Sequence, residues 1–316
     1  MTFLKIGAAD LSAEISPYGA ALARVWFHDH PTSLVLGLAN PADYADAPHA
    51  MGVIVGPIAG RVSNARTTIN GRSYQMEANA PPHCLHSGSD GLQHRFWETE
   101  EHSTCALTLR CHLPDGACGL PGNRTVRAIY EIKNTTLQLT IEATSDADTV
   151  FNATSHAYWA LDDRGDLKAH RLKIPSTRYL EFDAETVPTG SILNAQGGNL
   201  DFSSARSPVD GPALDACFCL SDTTVDTIRP VLTLHSKQTN LRLNISSNQP
   251  GVVVYSAAGM PSFSNVAQTP EIGPFSGIAI EAQGWPDANN HTSFPSIDLK
   301  SKTVLKQITH FSLEMP

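Results

Sequence analysis

The chain has 316 residues, a net charge of −9 at neutral pH and a charged fraction of only 17%. This length is ample for a hydrophobic core without disulfides or metal ions, and it allows one large all-β domain or two ordinary domains. The acidic balance argues against nucleic acid and an anionic membrane surface as partners, because both require a basic footprint. No apolar run approaches the thickness of a bilayer. We therefore expect a neutral small molecule as the ligand.

The cysteines and the first residues give an expectation about the compartment. The six cysteines are Cys84, Cys105, Cys111, Cys118, Cys217 and Cys219. None of them forms a Cys-x-x-Cys pair, so the pattern indicates neither a zinc site nor a disulfide framework. The first residues contain neither a basic segment nor an apolar signal segment. We therefore expect a cytoplasmic protein with free thiols.

Two hairpin patterns occur in the first part of the chain. Residues 11–27 are interpreted as a strand, a turn at residues 17–19 and a second strand. Residues 66–69 and 72–76 are strand candidates separated by Asn70-Gly71, the strongest short signal for a two-residue hairpin.

Two further segments in this part of the chain contain candidate binding residues. Residues 51–61 form an apolar run with three glycines that ends in Arg61, and we expect this arginine to project at a strand end. The loop at 79–88 contains prolines that exclude a helix, and it carries His86. Loops carry binding residues more often than other segments, so His86 is a candidate.

The remaining sequence is dominated by alternating apolar and polar positions. This alternation is typical of antiparallel strands with one buried face. There is no long stretch with a helical period and no linker or low-complexity block, so we predict one all-β domain over residues 1–316, a large antiparallel β-sandwich that includes the C-terminus. The predicted strands lie at 105–113, 125–132, 137–143, 168–174, 231–235, 241–245, 252–256, 276–281 and 303–313.

One segment stands out as a candidate catalytic centre. Residues 152–159 place His156 among small hydroxyl residues and large aromatics. If the segment is extended, Tyr158 lies on the same face as His156, because side chains alternate with a period of two. Such a surface suits a polyhydroxylated ligand. By itself the segment is equally compatible with a histidine that is only part of the core.

A second candidate, Glu281, ends the apolar strand at 276–281 and is followed by Gln283 and Trp285. A carboxylate that emerges from a buried strand can have a raised basicity, although an edge charge or a partner for arginine is the alternative. A carboxylate base and an imidazolium acid on opposite sides of a hemiacetal can together open a sugar ring. Arg61 and Asp215 are candidates for orienting hydroxyl groups through charge-assisted hydrogen bonds.

Metal and phosphate chemistry are the alternatives to acid–base catalysis. His83, His86, His156 and Glu281 resemble in type a three-histidine, one-carboxylate metal site, but such ligands normally cluster more tightly along the chain. We therefore expect no metal site. No Gly-x-x-x-x-Gly-Lys loop occurs, which argues against phosphate binding.

Several motifs together resemble the aldose 1-epimerase (galactose mutarotase) family. They follow one another in the family's order over most of the chain. The matching segments are Gly60-Arg61-Val62-Ser63-Asn64-Ala65, Asn70-Gly71 with Tyr74 and Asn79, Leu85-His86-Ser87-Gly88 with Trp97, Thr154-Ser155-His156-Ala157-Tyr158-Trp159, Glu281-Ala282-Gln283, Pro286-Asp287-Ala288-Asn289 and Phe294-Pro295.

The resemblance implies a galactose mutarotase-like supersandwich and interconversion of α and β anomers without a cofactor. It implies that His156 is the acid that protonates the ring oxygen and that Glu281 is the base that accepts the C1 hydroxyl proton. Arg61 and His86 would contact the sugar, and Asp215 would bind hydroxyls away from C1. The implied partner is a monosaccharide, a hexose or a pentose, and the implied assembly is a monomer or a homodimer.

The chain departs from the family pattern beside the proposed acid. Ser155 replaces the usual asparagine, and Trp159 stands where phenylalanine is usual. We expect Ser155, Tyr158, Trp159 and Gln283 to belong to the pocket, so the two departures would alter sugar preference, and a pentose or deoxy sugar is as plausible as galactose. The alternative functions are a non-catalytic sugar sensor on the same scaffold and a hexose-6-phosphate 1-epimerase.

Overall fold

The computed structural model describes residues 2–262, 264–266 and 271–316. These residues form 25 strands and seven 3₁₀-helices. The strands are β1 (Leu4–Ala8), β2 (Leu11–Ser16), β3 (Ala21–Phe27), β4 (Ile54–Val55), β5 (Arg61–Val62), β6 (Arg66–Ile69), β7 (Arg72–Gln75), β8 (Cys84–Leu85), β9 (Glu98–His102), β10 (Ala106–Leu113), β11 (Arg124–Lys133), β12 (Thr136–Ser145), β13 (Thr149–Val150), β14 (Thr154–Ser155), β15 (Tyr158–Trp159), β16 (His170–Lys173), β17 (Arg178–Phe182), β18 (Pro188–Asn194), β19 (Asp215–Cys219), β20 (Arg229–Ser236), β21 (Arg242–Ser247), β22 (Gly251–Tyr255), β23 (Ile278–Gln283), β24 (Asp298–Leu299) and β25 (Val304–Glu314).

Within the described residues, helical structure is confined to short 3₁₀ turns. They span Pro41–Asp46, Pro48–Ala50, Ser63–Ala65, Gly88–Asp90, Leu92–His94, Ala117–Gly119 and Ala288–Asn290. No helix in the described part of the chain is long and apolar enough to cross a membrane. The predicted all-β class is confirmed.

The largest sheet has eight antiparallel strands in the order β16-β20-β21-β25-β12-β11-β10-β9. Its strands bury one face and expose the other. In β10, for example, Leu107 and Leu109 are buried whereas Arg110 and His112 are exposed. This period of two explains why the alternation in the sequence predicted strands here. The predicted place of the C-terminus in a sheet is also confirmed, because β25 lies between β21 and β12.

A second sheet of six strands, in the order β15-β23-β22-β19-β17-β18, carries the cleft described below. One face packs into the main core, to which β23 contributes Ile278 and Ile280 and the eight-stranded sheet contributes Leu139 and Ile141. On the opposite face, side chains of the same strands, including Glu281, line the cleft. The two large sheets therefore enclose a common hydrophobic core, as in a β-sandwich.

The hairpin at Asn70-Gly71 forms as predicted between β6 and β7. Asn70 has φ 48° and Gly71 has φ 77°, and two consecutive positive φ angles are what a type I′ turn requires. The predicted pair of strands around residues 17–19 also forms, as β2 and β3. Both predictions succeed because turn chemistry is local.

The segment around His156 differs from the simplest expectation of one extended strand. It contains two short strands, β14 and β15, with His156 and Ala157 between them. β14 pairs with β4, whereas β15 belongs to the six-stranded sheet. The chain therefore passes from one sheet to another at His156.

Candidate active site

The face of the six-stranded sheet that points away from the main core forms the floor of a cleft of about 320 Å³. Strand register arranges the side chains of this face in rows. Tyr255 of β22 lies opposite Asp215 on one side and Ala279 on the other, while Val253 lies opposite Cys217 and Glu281. Asp215 and Glu281 are therefore two strands apart on the same face and displaced by one row, because directly paired residues point to the same side.

Glu281 occupies the middle of this floor. Its strand, β23, is buried at all six positions, and the Glu281 side chain is only 4% exposed. Burial, assisted by the negative charge of Asp215, raises the pKa of Glu281 to about 8. The charged form is disfavoured because a buried carboxylate loses the solvation that water provides. Glu281 is therefore poised to exchange a proton near neutral pH.

The imidazole of His156 faces Glu281 from the side of β15. Its Nε2 atom lies 3.5 Å from Oε1 of Glu281. The backbone fixes this position, because the N–H of His156 donates to the carbonyl of Val53 at 2.9 Å and its carbonyl accepts from Gly52 at 3.1 Å. Burial lowers the pKa of His156 to about 4, and His49 contributes in the same direction. The two titratable side chains thus lie side by side, and both are buried.

His86 enters the cleft from the loop after β8. Its Nδ1 atom accepts a hydrogen bond from the N–H of Gly60 at 3.1 Å. In a neutral imidazole the other nitrogen then carries the proton, so Nε2 of His86 is a donor. Burial lowers the pKa of His86 well below its usual value, and the neighbouring His156 and Arg61 act in the same direction. The two imidazoles meet edge to face, with ring centroids 5.5 Å apart.

Arg61 and Asp215 supply the two opposite charges that line the cleft near its opening. Arg61 lies on β5, whose pairing with β8 places Leu85 opposite it, and it is only partly buried. Asp215 begins β19 and is solvent-exposed, yet desolvation by the surrounding protein raises its pKa and Arg61 opposes this effect. Neither side chain forms an ion pair with another described residue within 4.0 Å. Both are free to bind hydroxyl groups.

Tyr158 also lines the cleft, as predicted, and its ring centroid is 5.1 Å from that of His156. Its hydroxyl donates to the carbonyl of His49 at 3.0 Å. Burial and the nearby Glu281 raise the pKa of Tyr158 well above its usual value, so it remains a neutral donor. The side chain is therefore anchored as a wall of the cleft.

Ser155 and Trp159 do not line the cleft, and the expectation that they shape the sugar subsite is corrected. Ser155 borders a very small separate cavity beside Gln307. Trp159 is fully buried in the main core, where its ring centroid lies 5.2 Å from that of Phe311. Ser155 and Trp159 are one and three residues from His156, and residues at odd spacings in a nearly extended segment point to the opposite face, which explains both positions.

Several lining residues had no recognisable signal in the sequence. Tyr255 could have been found, because it alternates with Val253 on a strand that was predicted. Val253 lies on the same strand. His49 comes from a 3₁₀ turn, Phe182 ends β17 and Thr186 lies in the connection between β17 and β18, so their approach to the cleft depends on tertiary packing. The lining residues not identified from the sequence include His49, Phe182, Thr186, Val253 and Tyr255.

The structure does not assemble the four residues of the alternative metal site. No group of three or more potential metal ligands occurs in the part of the chain that the structure describes. His83 does not line the cleft; its Nδ1 accepts from the N–H of Asn64 at 3.1 Å and its Nε2 lies 3.1 Å from Glu185. The other three residues, His86, His156 and Glu281, line the cleft together.

Known proteins that are similar in sequence to this chain include aldose 1-epimerases and galactose mutarotases. The chain is 30% identical over 282 residues to an aldose 1-epimerase of Streptococcus thermophilus, which corresponds to 84% of this chain and 80% of that protein. It is 28% identical over 320 residues to a galactose mutarotase of Rattus norvegicus, corresponding to 96% and 92% of the two chains.

Solved structures show the same fold. A crystal structure of a GalM/aldose epimerase homologue from C. elegans superimposes with a TM-score of 0.92 at 26% identity and covers 99% of this chain and 98% of its own. That of a galactose 1-epimerase from Lactobacillus acidophilus gives a TM-score of 0.84 at 26% identity, covering 98% and 92%. The family model for aldose 1-epimerase matches residues 3–312. The resemblance seen in the motifs is confirmed, and the chain belongs to the aldose 1-epimerase family.

Proposed function

We propose that this protein is an aldose 1-epimerase that interconverts the α and β anomers of a neutral free aldose without a cofactor. The observation that carries the proposal is the contact between His156 and Glu281, 3.5 Å apart and both buried at the floor of the cleft. A proton donor and a proton acceptor at this separation can act on two oxygens bonded to one carbon. These are the two proton transfers that opening a cyclic hemiacetal requires.

The proposed reaction begins with transfer of the C1 hydroxyl proton to the carboxylate of Glu281. The C1–ring oxygen bond breaks as His156 gives its proton to the ring oxygen, and the sugar becomes an open-chain aldehyde. Rotation about the C1–C2 bond presents the other face of the carbonyl. In closure, Glu281 returns its proton to the carbonyl oxygen and His156 accepts the proton from the attacking hydroxyl. The enzyme ends in its starting protonation state.

This cycle needs one proton on the pair. The opposite pKa shifts of His156, to about 4, and Glu281, to about 8, support a single shared proton over a wide pH range. In the free protein these shifts favour the proton on Glu281, which is the arrangement that follows ring opening. Transfer of the proton from Glu281 to His156 across their contact restores the carboxylate and imidazolium that open a ring. Both arrangements have the same total charge.

The other cleft residues have proposed roles in binding. Neutral His86 donates through Nε2, and Arg61 donates to sugar oxygens that gain negative charge. Asp215, two strands away from Glu281, accepts hydrogen bonds from hydroxyls distant from C1. Fixing the sugar at both ends orients C1 against the acid–base pair, which lowers the entropic cost of reaching the transition state.

The two alternative functions have less support. A sugar sensor does not need a buried acid–base pair, whose burial destabilises the charged forms of both groups. A hexose-6-phosphate epimerase needs a basic cluster, but Arg61 is the single lysine or arginine among the described residues that line the cleft. If Arg61 bound a phosphate group, it could not also contact the sugar ring.

The test is polarimetry on freshly dissolved α-D-galactose, α-D-glucose and α-L-arabinose with the purified protein. We expect acceleration of mutarotation over buffer for at least one sugar, and little acceleration by a Glu281→Gln variant. A rate equal to that in buffer for every sugar would refute the proposal. Acceleration of the 6-phosphate esters alone would favour the hexose-6-phosphate epimerase instead.

A further inference from the structure

Gln283 is the one residue that lines the cleft and has an entirely unpaired side-chain amide among the described residues. The residue is fully buried, yet neither its Nε2 nor its Oε1 has a hydrogen-bond partner there. An amide taken out of water without a partner destabilises a fold, and buried polar groups are paired in the great majority of cases. The arrangement therefore needs a reason outside the stability of the free protein.

The polar side chains of Trp285 and Asn152, which are anchored to backbone close to Gln283 in the sheet, are paired with other atoms. The indole N–H of Trp285 donates to the carbonyl of Pro250 at 3.0 Å. The amide of Asn152 is paired with the backbone of Gly284, with bonds of 2.7 and 3.2 Å. The side chain of Gln283 therefore takes no part in the hydrogen bonds of Trp285 and Asn152, although Gln283 is close to both in the sheet.

The position of Gln283 relative to the acid–base pair follows from strand register. Gln283 and Glu281 are two residues apart on β23, so both point to the cleft face and lie about 7 Å apart along the strand. His156, which precedes β15, approaches Glu281 from the side of the sheet on which β15 lies. Asp215 lies on the opposite side of Glu281 from His156, on β19. Along the strand direction it is displaced from Glu281 by one row, away from Gln283. The three side chains thus surround Glu281 in different directions.

We propose that Gln283 binds the hydroxyl group at C2 of the sugar, an inference that rests on the proposed aldose 1-epimerase function. Besides its hydrogen, C1 carries the C1 hydroxyl, the ring oxygen and C2. Glu281 acts on the C1 hydroxyl and His156 on the ring oxygen. The third neighbour, C2, therefore presents its hydroxyl toward Gln283. A carboxamide can donate to this hydroxyl and accept from it, which satisfies both unpaired atoms when the sugar is bound.

The assignment predicts discrimination against sugars that lack the C2 hydroxyl. A site built to hydrogen-bond a hydroxyl rejects the deoxy analogue, because the buried amide then stays unpaired. We expect wild-type kcat/KM for 2-deoxy-D-galactose and 2-deoxy-D-glucose to be about tenfold or more below that for the parent sugars, the loss typical of one buried hydrogen bond.

Gln283→Met tests the contact, because methionine has a similar length and cannot form the two hydrogen bonds. We expect the variant to lose about tenfold in kcat/KM on D-galactose and D-glucose and to lose little on the deoxy sugars, so that discrimination nearly disappears. Equal losses on the parent and deoxy sugars would overturn the proposal.

A measurement of thermal stability separates binding from structure. Gln283→Met removes an unpaired buried amide, so the melting temperature of the free variant should equal or exceed that of the wild type. Gln307→Met is the matched control, because the amide of this buried glutamine is paired with Ala153 and Gln249 at 2.9 and 2.8 Å. We expect that control to melt lower. A similar decrease for Gln283→Met would mark Gln283 as structural and overturn the assignment.

Sugar binding distinguishes failure of this inference from failure of the proposed function. If the wild type accelerates no mutarotation but D-galactose raises its melting temperature more than 2-deoxy-D-galactose does, the enzyme assignment fails and the contact at C2 stands, provided that Gln283→Met abolishes the difference. If D-galactose and D-glucose neither react nor raise the melting temperature, both proposals fall. If catalysis is present and the C2 hydroxyl makes no difference, only the role of Gln283 falls.

Discussion

His156 and Glu281 face each other at 3.5 Å across the floor of the cleft, and burial shifts their two pKa values in opposite directions. Desolvation disfavours the imidazolium and the carboxylate alike. The pair consequently titrates with widely separated apparent pKa values and carries one proton between them. The pH dependence of the reaction, the catalytic roles of both residues and the pH dependence of stability all depend on this relationship.

The rate of mutarotation should have a broad plateau in pH. Below about 4, both His156 and Glu281 are protonated and no base remains; above about 8, both are deprotonated and no acid remains. The charged or titratable groups near the pair are His86, Arg61, Asp215, Tyr158 and His49. A profile of kcat/KM against pH, corrected for the buffer reaction, checks this, and a continuous rise through pH 8 would contradict it.

Removal of either proton carrier should reduce turnover strongly. We expect Glu281→Gln and His156→Asn each to lower kcat by roughly two to four orders of magnitude, the usual share of general acid–base catalysis. The double variant should lose little more than the worse single variant, because the two residues act as one unit. Near-normal turnover in either single variant would remove that residue from the mechanism.

Glu281 should destabilise the protein at alkaline pH. Its folded-state pKa of about 8 lies above the ordinary 4.5, so between these values the folded protein holds a proton that the unfolded chain has lost. Stability therefore falls as pH rises through this window. The Glu281→Gln variant does not lose stability in this way. As the pH rises from about 5 to about 9, its free energy of unfolding should therefore increase by roughly 2–4 kcal/mol relative to that of the wild type.

Urea unfolding of both proteins across this pH range measures the difference. His156 acts in the opposite sense at lower pH, because its folded pKa of about 4 lies below the ordinary 6.5 and stability is lost as pH falls through this interval. The comparison is cleanest above this interval. A stability difference independent of pH would show that Glu281 ionises normally in the folded protein.

Trp159 should influence stability without influencing sugar preference. Its ring is buried against Phe311 in the main core and does not line the cleft. Trp159→Phe leaves a cavity and should cost about 1–3 kcal/mol of stability. The ratio of kcat/KM values for galactose, glucose and arabinose should stay unchanged. A reordering of the three sugars in the variant would show that the core position is coupled to the cleft.

Local signals in the sequence predicted much of the fold. The Asn70-Gly71 hairpin depends on φ angles that these two residues adopt easily, and the alternation in β10 records which face is buried. The sequence singled out Arg61, His86, His156, Asp215 and Glu281 as candidate site residues, and all five line one cleft. Their catalytic and binding roles remain predictions.

The prediction that Ser155 and Trp159 line the cleft was wrong, because it relied on their closeness to His156 in the sequence. Both flank the proposed acid, but the segment is close to extended and the chain changes sheets at His156. Neighbouring side chains there point to opposite faces, so only His156 and Tyr158 reach the cleft. His49 and Thr186 were missed for the converse reason, because they are remote in sequence and approach the cleft only through packing.

The sequence by itself determined the all-β class, the turns and the identity of the residues available for acid–base chemistry, because period-two burial and turn conformation depend on near neighbours. The tertiary structure decided which residues share the cleft, the 3.5 Å contact of His156 with Glu281 and the opposite shifts of their pKa values. These properties depend on burial by segments far apart in the chain. The unpaired amide of Gln283 is of the same kind, since only the packed structure shows what lies beside it.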